Sequence, residues 1–318
     1  MASEYLANGN PGPRLFDVLV AGEINPDLIL SGDVQPEFDQ VEKLVGSAAL
    51  TIGSSSAIFA CGAARLGLKV AFIGLCGDDV FGRFMLDEMQ RRNVDVSNVI
   101  IRQDGQTGLS LILNRGADRA ILTYPGLIPA LRASDIPDGL LRQARHVHIA
   151  SYFLQILLQP DLPGLFRRAR EHGLTTSLDT NYDPSEKWIG FDELLSVTNV
   201  FLPNEKEACS ISGEADVDLA AGSLGGRVET LAVKLGEAGA LGVRGGRKVR
   251  VPSISVDVAD TVGAGDSFDA GFIYAYLRDW ELEKALRLAC ACGALSTRKA
   301  GGTEGQPPLE EAMQYVSR

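Results

Sequence analysis

Residues 260–271 read DTVGAGDSFDAG and carry the densest chemistry in the chain. Gly263 and Gly265 flank Ala264, and a carboxylate follows at Asp266. Glycines let a backbone approach a ligand closely. Beyond them Phe268, Phe272, Ala275 and Tyr276 recur at helical spacing. The amides of 263–266 then point out of a helix N-terminus, a geometry that binds anions and stabilises charge on a transferred phosphoryl group. Asp266 stands where a base is needed beside a bound phosphate. Equally, the segment can be a Gly-rich turn with Asp266 as an ordinary acid of a first helical turn. A dinucleotide fingerprint is excluded, because Phe268 occupies the third glycine position and the segment lies late in the chain; no GxxxxGK[ST] loop occurs.

The elements that position this segment alternate. Phe16–Ala21 reads as an apolar run broken only at Asp17, the habit of a strand buried on both faces of a parallel sheet. A helix is expected over 56–66, a strand over 69–74 and an amphipathic helix over 81–92. The middle changes character: 99–102, 108–114 and 119–124 read as short strands joined by turns, an antiparallel pattern. Strands then resume at 146–150, 175–179, 199–202, Thr230–Lys234 and 239–244, with helices such as 162–172 and Glu205–Ser212 between them. Helices at 264–277, 282–299 and 308–316 close the chain. Repeated βα units predict an α/β fold: a Rossmann-like, mostly parallel sheet with helices on both faces. The hairpin-like middle forms a small β-sheet.

The chain has 318 residues, 45% hydrophobic and 22% charged, with a formal net charge of −11. These are globular values for a single domain. So acidic a chain is not expected to bind nucleic acid or an anionic membrane, and no apolar run reaches the ~18 residues of a membrane span. Residues 1–14 show no signal-peptide pattern and are expected to be disordered. Five cysteines, an odd number mostly inside apolar stretches, fit reduced thiols in a cytoplasmic protein. Cys290 and Cys292 lie too close together for zinc spacing and lack a partner pair. His146 and His148 share one face of a strand without further ligands nearby, so they are expected to be ordinary strand histidines.

DTVGAGDSFDAGF closely resembles the C-terminal motif of the ribokinase-like, PfkB-type carbohydrate kinases. GSSSAIFACGAARLG (53–67) resembles the N-terminal motif of that family, and GEINPDLI, KVAFIGLCGDDVFGRFMLDEM, NVDVSNV and PNEKEA (203–208) are similar to further family segments. The resemblance runs from about residue 17 to about residue 310. It implies a kinase transferring the γ-phosphoryl group of ATP to a hydroxyl of a small sugar or polyol. The α/β core would carry a lid formed by about 28–50 and 99–125, and lid edges could pair two copies into a homodimer.

By position, the resemblance makes Asp266 the base and Gly263, Ala264 and Gly265 the anion hole. Asn204 and Glu207 would organise Mg²⁺ and phosphates through water; a capped helix after Pro203 explains the same residues. Lys234, Gly236 and Gly239 would face the nucleotide, although the glycines also suit a plain turn. Cys290 falls in the adenine-pocket segment. Asp260 and the backbone of Val262 resemble a monovalent-cation loop, which would take K⁺. Asn25, Asp27, Gly53, Ser54, Asp179 and Asn181 would contact the acceptor. Asn25 and Asp27 also suit a turn. The sequence departs from the family at Ser54, where a second glycine is usual, and at Ile58, where asparagine is common. Tyr182 stands where an arginine often serves anionic groups, so a neutral acceptor is expected. The alternatives are a nucleoside kinase on the same fold and a non-catalytic sugar-binding regulatory protein.

Overall fold

The computed structural model describes residues 14–115 and 118–316. The lead-in expected to be disordered lies outside these residues, except for Arg14. That residue is tied down, its guanidinium donating to the carbonyls of His172 (2.9 Å) and Gly173 (3.1 Å).

In chain order the strands are β1 (Phe16–Ala21), β2 (Pro26–Ser31), β3 (Ser47–Ile52), β4 (Val70–Ile73), β5 (Leu75–Gly77), β6 (Val94–Asp95), β7 (Ile100–Arg102), β8 (Leu109–Arg115), β9 (Asp118–Tyr124), β10 (Ala144–Ile149), β11 (Thr175–Leu178), β12 (Val200–Phe201), β13 (Thr230–Lys234), β14 (Ala240–Arg244) and β15 (Arg247–Val251). The helices are α1 (Ser55–Arg65), α2 (Val80–Arg91), α3 (Asp138–Leu141), α4 (Leu162–Glu171), α5 (Phe191–Ser196), α6 (Glu205–Ser212), α7 (Val217–Gly225), α8 (Ala264–Tyr276), α9 (Leu282–Ser296) and α10 (Leu309–Met313).

The main sheet has nine strands in the order β15-β14-β13-β12-β11-β10-β1-β4-β6. Pairing is parallel from β13 to β6 and antiparallel at the β13-β14-β15 edge. Alternation along β1 sends Val18 and Val20 into one core with Phe59 of α1, Phe272 of α8 and Leu288 of α9. Leu19 and Ala21 enter the other, with Leu165 of α4, Leu194 of α5 and Leu224 of α7. The chain leaves β1 in one direction toward β4 and later returns on the other side through β10. The carboxyl ends of β1 and β10 thus flank a topological switch point, where open α/β sheets form ligand crevices.

A second, four-stranded sheet has the order β3-β2-β8-β9. β2 and β8 pair in parallel, and the outer pairs are antiparallel. Residues 99–102 depart from the expected grouping with the hairpin. Ile100–Arg102 pairs in parallel with β5, which directly continues from core strand β4. Their apolar run reads the same in either partnership, so periodicity could not choose between them. His146 and His148 are buried strand residues, both hydrogen-bonded to Ser177.

Candidate active site

Helix α8 begins at Ala264 because Gly263 adopts the left-handed conformation (φ 71°). A side chain there would also clash, since its Cβ would lie 2.8 Å from the Gly302 backbone. Gly265 and Asp266 follow in the first helical turn, whose amides have no preceding turn to bond. This helix start lies between two depressions. Gly263 and Asp266 line a polar cavity of about 270 Å³. Ala264 and Gly265 line a larger cleft of about 640 Å³, and Thr261 lines both.

The polar cavity is built from the carboxyl ends of the central strands and roofed by the small sheet. Glu23 and Asn25 follow β1, Ser151 follows β10 and Asn181 follows β11. Asp27 comes from β2, Ser54 and Ser55 from the start of α1. A polar chain holds the rim. Asn181 donates to Ser55 (2.6 Å) and Ser151 (2.9 Å), and Ser151 donates to Glu23 (2.9 Å). Ser54, Ser151 and Asn181 all have positive φ (64°, 51° and 55°). Such strain costs on the order of 1–3 kcal/mol per residue and clusters at functional sites. Ser54 therefore keeps the backbone shape of the glycine it replaces. Its hydroxyl also caps α1 by accepting the Ala57 amide (3.0 Å) and donates to the Glu23 carbonyl (2.7 Å). Gly53 supports the wall without lining it; a Cβ there would lie 2.2 Å from Asp27 Oδ1. Asp27 is pushed up to about 7, by burial first, with Asp260 adding and Ser110 and Arg119 opposing.

Asp179 does not line this cavity. It lies beneath it, 1% exposed, joined to Lys234 Nζ at 3.0 Å. Lys234 also binds Asp269 of α8, at 3.1 Å. Burial and the charge of Asp179 hold the Asp266 carboxyl well above the usual carboxylate range, while Lys234 and the Ser55 hydroxyl oppose this. Burial likewise raises Asp269, against Lys234. Burial disfavours the Lys234 charge, but the carboxylates of Asp179, Asp269, Glu207 and Asp266 outweigh it and raise its proton affinity.

The larger cleft is lined by Lys234 at the end of β13, by Gly236 and Gly239 after it, by Ile254, Val256 and Val258, and by Phe268 of α8 and Cys290 of α9. Asn204 stands with Lys234 and Gly236 at an adjoining surface hollow. Glu207 is brought to neither. It is buried and forms a reciprocal cap with Asn204: its Oε2 accepts the Asn204 amide (2.9 Å), and Asn204 Oδ1 accepts its own amide (2.9 Å). It also accepts from Thr180 (3.3 Å) and is pushed up to about 7, by burial first and then by Asp179. Asp260 ties two loops, accepting the amides of Val262 (3.0 Å) and Gly301 (3.0 Å).

Sequence reasoning missed Glu23, Ser55, Ser151 and Asp269, and the roof residues Ser110, Arg119 and Thr123. Glu23 had one signal, a carboxylate directly after a buried strand. The roof had none, because its side chains reach the cavity only through the pairing of β8 with β2.

Comparison with known proteins identifies the family. The family model for pfkB family carbohydrate kinases matches residues 16–309. An uncharacterised sugar kinase of Archaeoglobus fulgidus is 33% identical over 248 residues, covering 77% of this chain and 98% of that protein. The ATP-dependent ribose-1-phosphate kinase of Halopiger xanaduensis is 33% identical over 303 residues, covering 94% and 98%. The solved structure of Arabidopsis thaliana ribokinase complexed with ribose and ATP shares the fold, with a TM-score of 0.83 at 20% identity over 95% of this chain and 99% of that one. With a matching family model over nearly all of its described residues, the chain belongs to the PfkB family of carbohydrate kinases and is a phosphotransferase with an alcohol group as acceptor.

Proposed function

We propose that the protein transfers the γ-phosphoryl group of ATP to a hydroxyl of a small sugar or polyol held in the polar cavity. One observation carries this reading: a single helix start borders both depressions, with Asp266 on one side and Gly265 on the other. ATP would lie in the larger cleft, its base against Ile254, Val256 and Cys290 and its phosphates toward Gly265. The acceptor would lie among Asn25, Asp27, Ser54 and Asn181, beneath the small sheet acting as a lid. Among the described residues no aromatic ring lines this cavity, which disfavours a nucleoside acceptor, whose base needs stacking.

The chemistry then follows from the chain's own groups. The acceptor oxygen attacks the γ-phosphorus, the bond to the β-bridging oxygen breaks, and ADP leaves with the electron pair. The hydroxyl proton passes to Asp266, whose burial and neighbouring carboxylate give it the proton affinity of a capable base. Free amides at the start of α8 face the charge that develops on the phosphoryl oxygens. Lys234 holds Asp179 and Asp269 neutralised below. Asn204, backed by Glu207, offers oxygen donors suited to Mg²⁺, which keeps most of its waters. When bound with ATP, Mg²⁺ offsets phosphate charge. The loop of Asp260 and Val262 is the candidate K⁺ site.

A coupled ADP-release assay with MgATP tests this against pentoses, hexoses, keto-sugars, sugar phosphates, polyols and nucleosides, with K⁺ exchanged for Na⁺ in one arm. ADP formation with a sugar-class acceptor is expected; formation with nucleosides alone would transfer the reading to nucleoside kinases. A cytoplasmic location suits the five free cysteines, and cell fractionation reads it out.

An apolar outer face of the small sheet supports a homodimer through the lid. The register places Leu28, Leu30, Leu50, Leu111, Leu113 and Leu122 on the outer face of the small sheet, and Leu122 is 60% exposed. A contiguous apolar face of this kind marks an interaction surface. Sedimentation should give a dimer that the double change Leu111→Glu, Leu122→Glu converts to monomer. A wild-type protein that sediments as a monomer at micromolar concentration removes this assignment.

A further inference from the structure

Strand alternation makes the roof of the polar cavity chemically uneven. Along β9, Arg119, Ile121 and Thr123 face the cavity. On the paired strand β8, Ile112 lies opposite Ile121 and Ser110 opposite Thr123. Arg119 is the one cation among the described residues lining this cavity. The nearby Arg115 is committed to Asp118 and Gln35. The Arg119 guanidinium, by contrast, makes no hydrogen bond or ion pair with a described residue; its backbone amide donates to Asp118 (2.9 Å). The carboxylates across the cavity have other work. Glu23 accepts from Ser56 and Ser151, and Asp266 is held by Ser55.

The expectation of a neutral acceptor rested on Tyr182. That side chain does not line the cavity. It is 48% exposed, hydrogen-bonded to Glu186 and stacked under Lys206. Its identity therefore carries no information about acceptor charge.

Resting on the kinase reading above, we infer that the acceptor carries an anionic oxygen-acid group, a phosphate or a carboxylate, and that Arg119 is the residue that recognises it. A guanidinium presents a planar fork of donors matched to two anionic oxygens. A neutral sugar would leave that fork hydrated at the cavity wall. Asp27, the remaining carboxyl there, lies within the field of Arg119, and burial raises its proton affinity, which limits its repulsion of an anion.

The test measures binding and turnover separately, on the full-length protein and on Arg119→Gln and Arg119→Lys. Calorimetry without ATP uses ribose 1-phosphate for the phosphate arm, 2-dehydro-3-deoxygluconate for the carboxylate arm and ribose as the neutral control. One anionic compound should bind, and Arg119→Gln should weaken it by about 10- to 100-fold, the worth of a charged hydrogen-bonded pair. Ribose affinity should change by less than about twofold, and Arg119→Lys should recover part of the loss. In turnover, the effect should fall on KM with kcat nearly unchanged. Arg119-dependent binding without any ADP formation upholds the anionic site while overturning the kinase reading. Turnover of neutral sugars with no anion binding, or equal losses for ribose and the anions in Arg119→Gln, overturns the role of Arg119 and leaves the kinase reading intact.

Discussion

Asp266→Asn should lower kcat by about 10²–10⁴-fold while leaving acceptor and ATP dissociation constants within a few-fold of wild type. The range is that of a positioned general base. Asparagine keeps the size of the side chain and can still meet the Ser55 hydroxyl, but it has no lone pair basic enough to take the hydroxyl proton. The surrounding geometry also predicts why the loss is not total: Gly263 keeps α8 starting where it does, so the helix amides still face the phosphoryl oxygens. Single-turnover ADP release and calorimetry on the same preparation separate the two effects. Near-normal turnover in Asp266→Asn would take the residue out of the chemistry.

Lys234→Met should destabilise the fold by about 3–5 kcal/mol, the usual cost of removing one partner from a buried ionic cluster. Asp179 and Asp269 have side chains 2% and 1% exposed, and Lys234 is their shared counter-ion at 3.0 and 3.1 Å. Without it, either two carboxylates stay charged in a dry site or both take up protons; each costs stability at neutral pH. Adding Asp269→Asn to Lys234→Met should recover part of the loss, because one of the stranded charges disappears. Urea unfolding midpoints read both effects. A midpoint unchanged in Lys234→Met would mean that water or protonation already neutralises the cluster. Because Lys234 also borders the larger cleft, its loss should raise the KM for ATP, an effect that the Asp269→Asn change is not expected to repair.

The fold was legible where one face of each element declares itself. Phe16–Ala21 and Thr230–Lys234 carry unbroken apolar, buried centres (18–20 and 231–233), because helices cover both sides of the central sheet, and their ends match the expected ones. β2, β3 and β15 left no such signal. β2 and β3 lie in a sheet whose outer face is not covered, and β15 carries three basic residues on an exposed edge. The helices α5 and α7 were likewise not expected from the sequence.

Alone, the sequence determined the family, the α/β class and the segment where a carboxylate meets a glycine-rich helix start. These depend on local spacing: a turn, a helix and its first acid are set by neighbours along the chain. What tertiary structure decided was which residues share a cavity. Asp179 and Asn181 are two apart, yet a β-strand end sends the first under the site to Lys234 and the second into the cavity wall. Asp269 reaches the same lysine from a helix 90 residues later, which no spacing rule could announce. Arg119 faces the polar cavity only because β8 pairs with β2 and carries β9 across the opening with its odd-numbered side chains inward. A shift of one residue in that register would turn them to solvent. Charge at that cavity is thus a property of strand pairing, decided by contacts far apart in sequence.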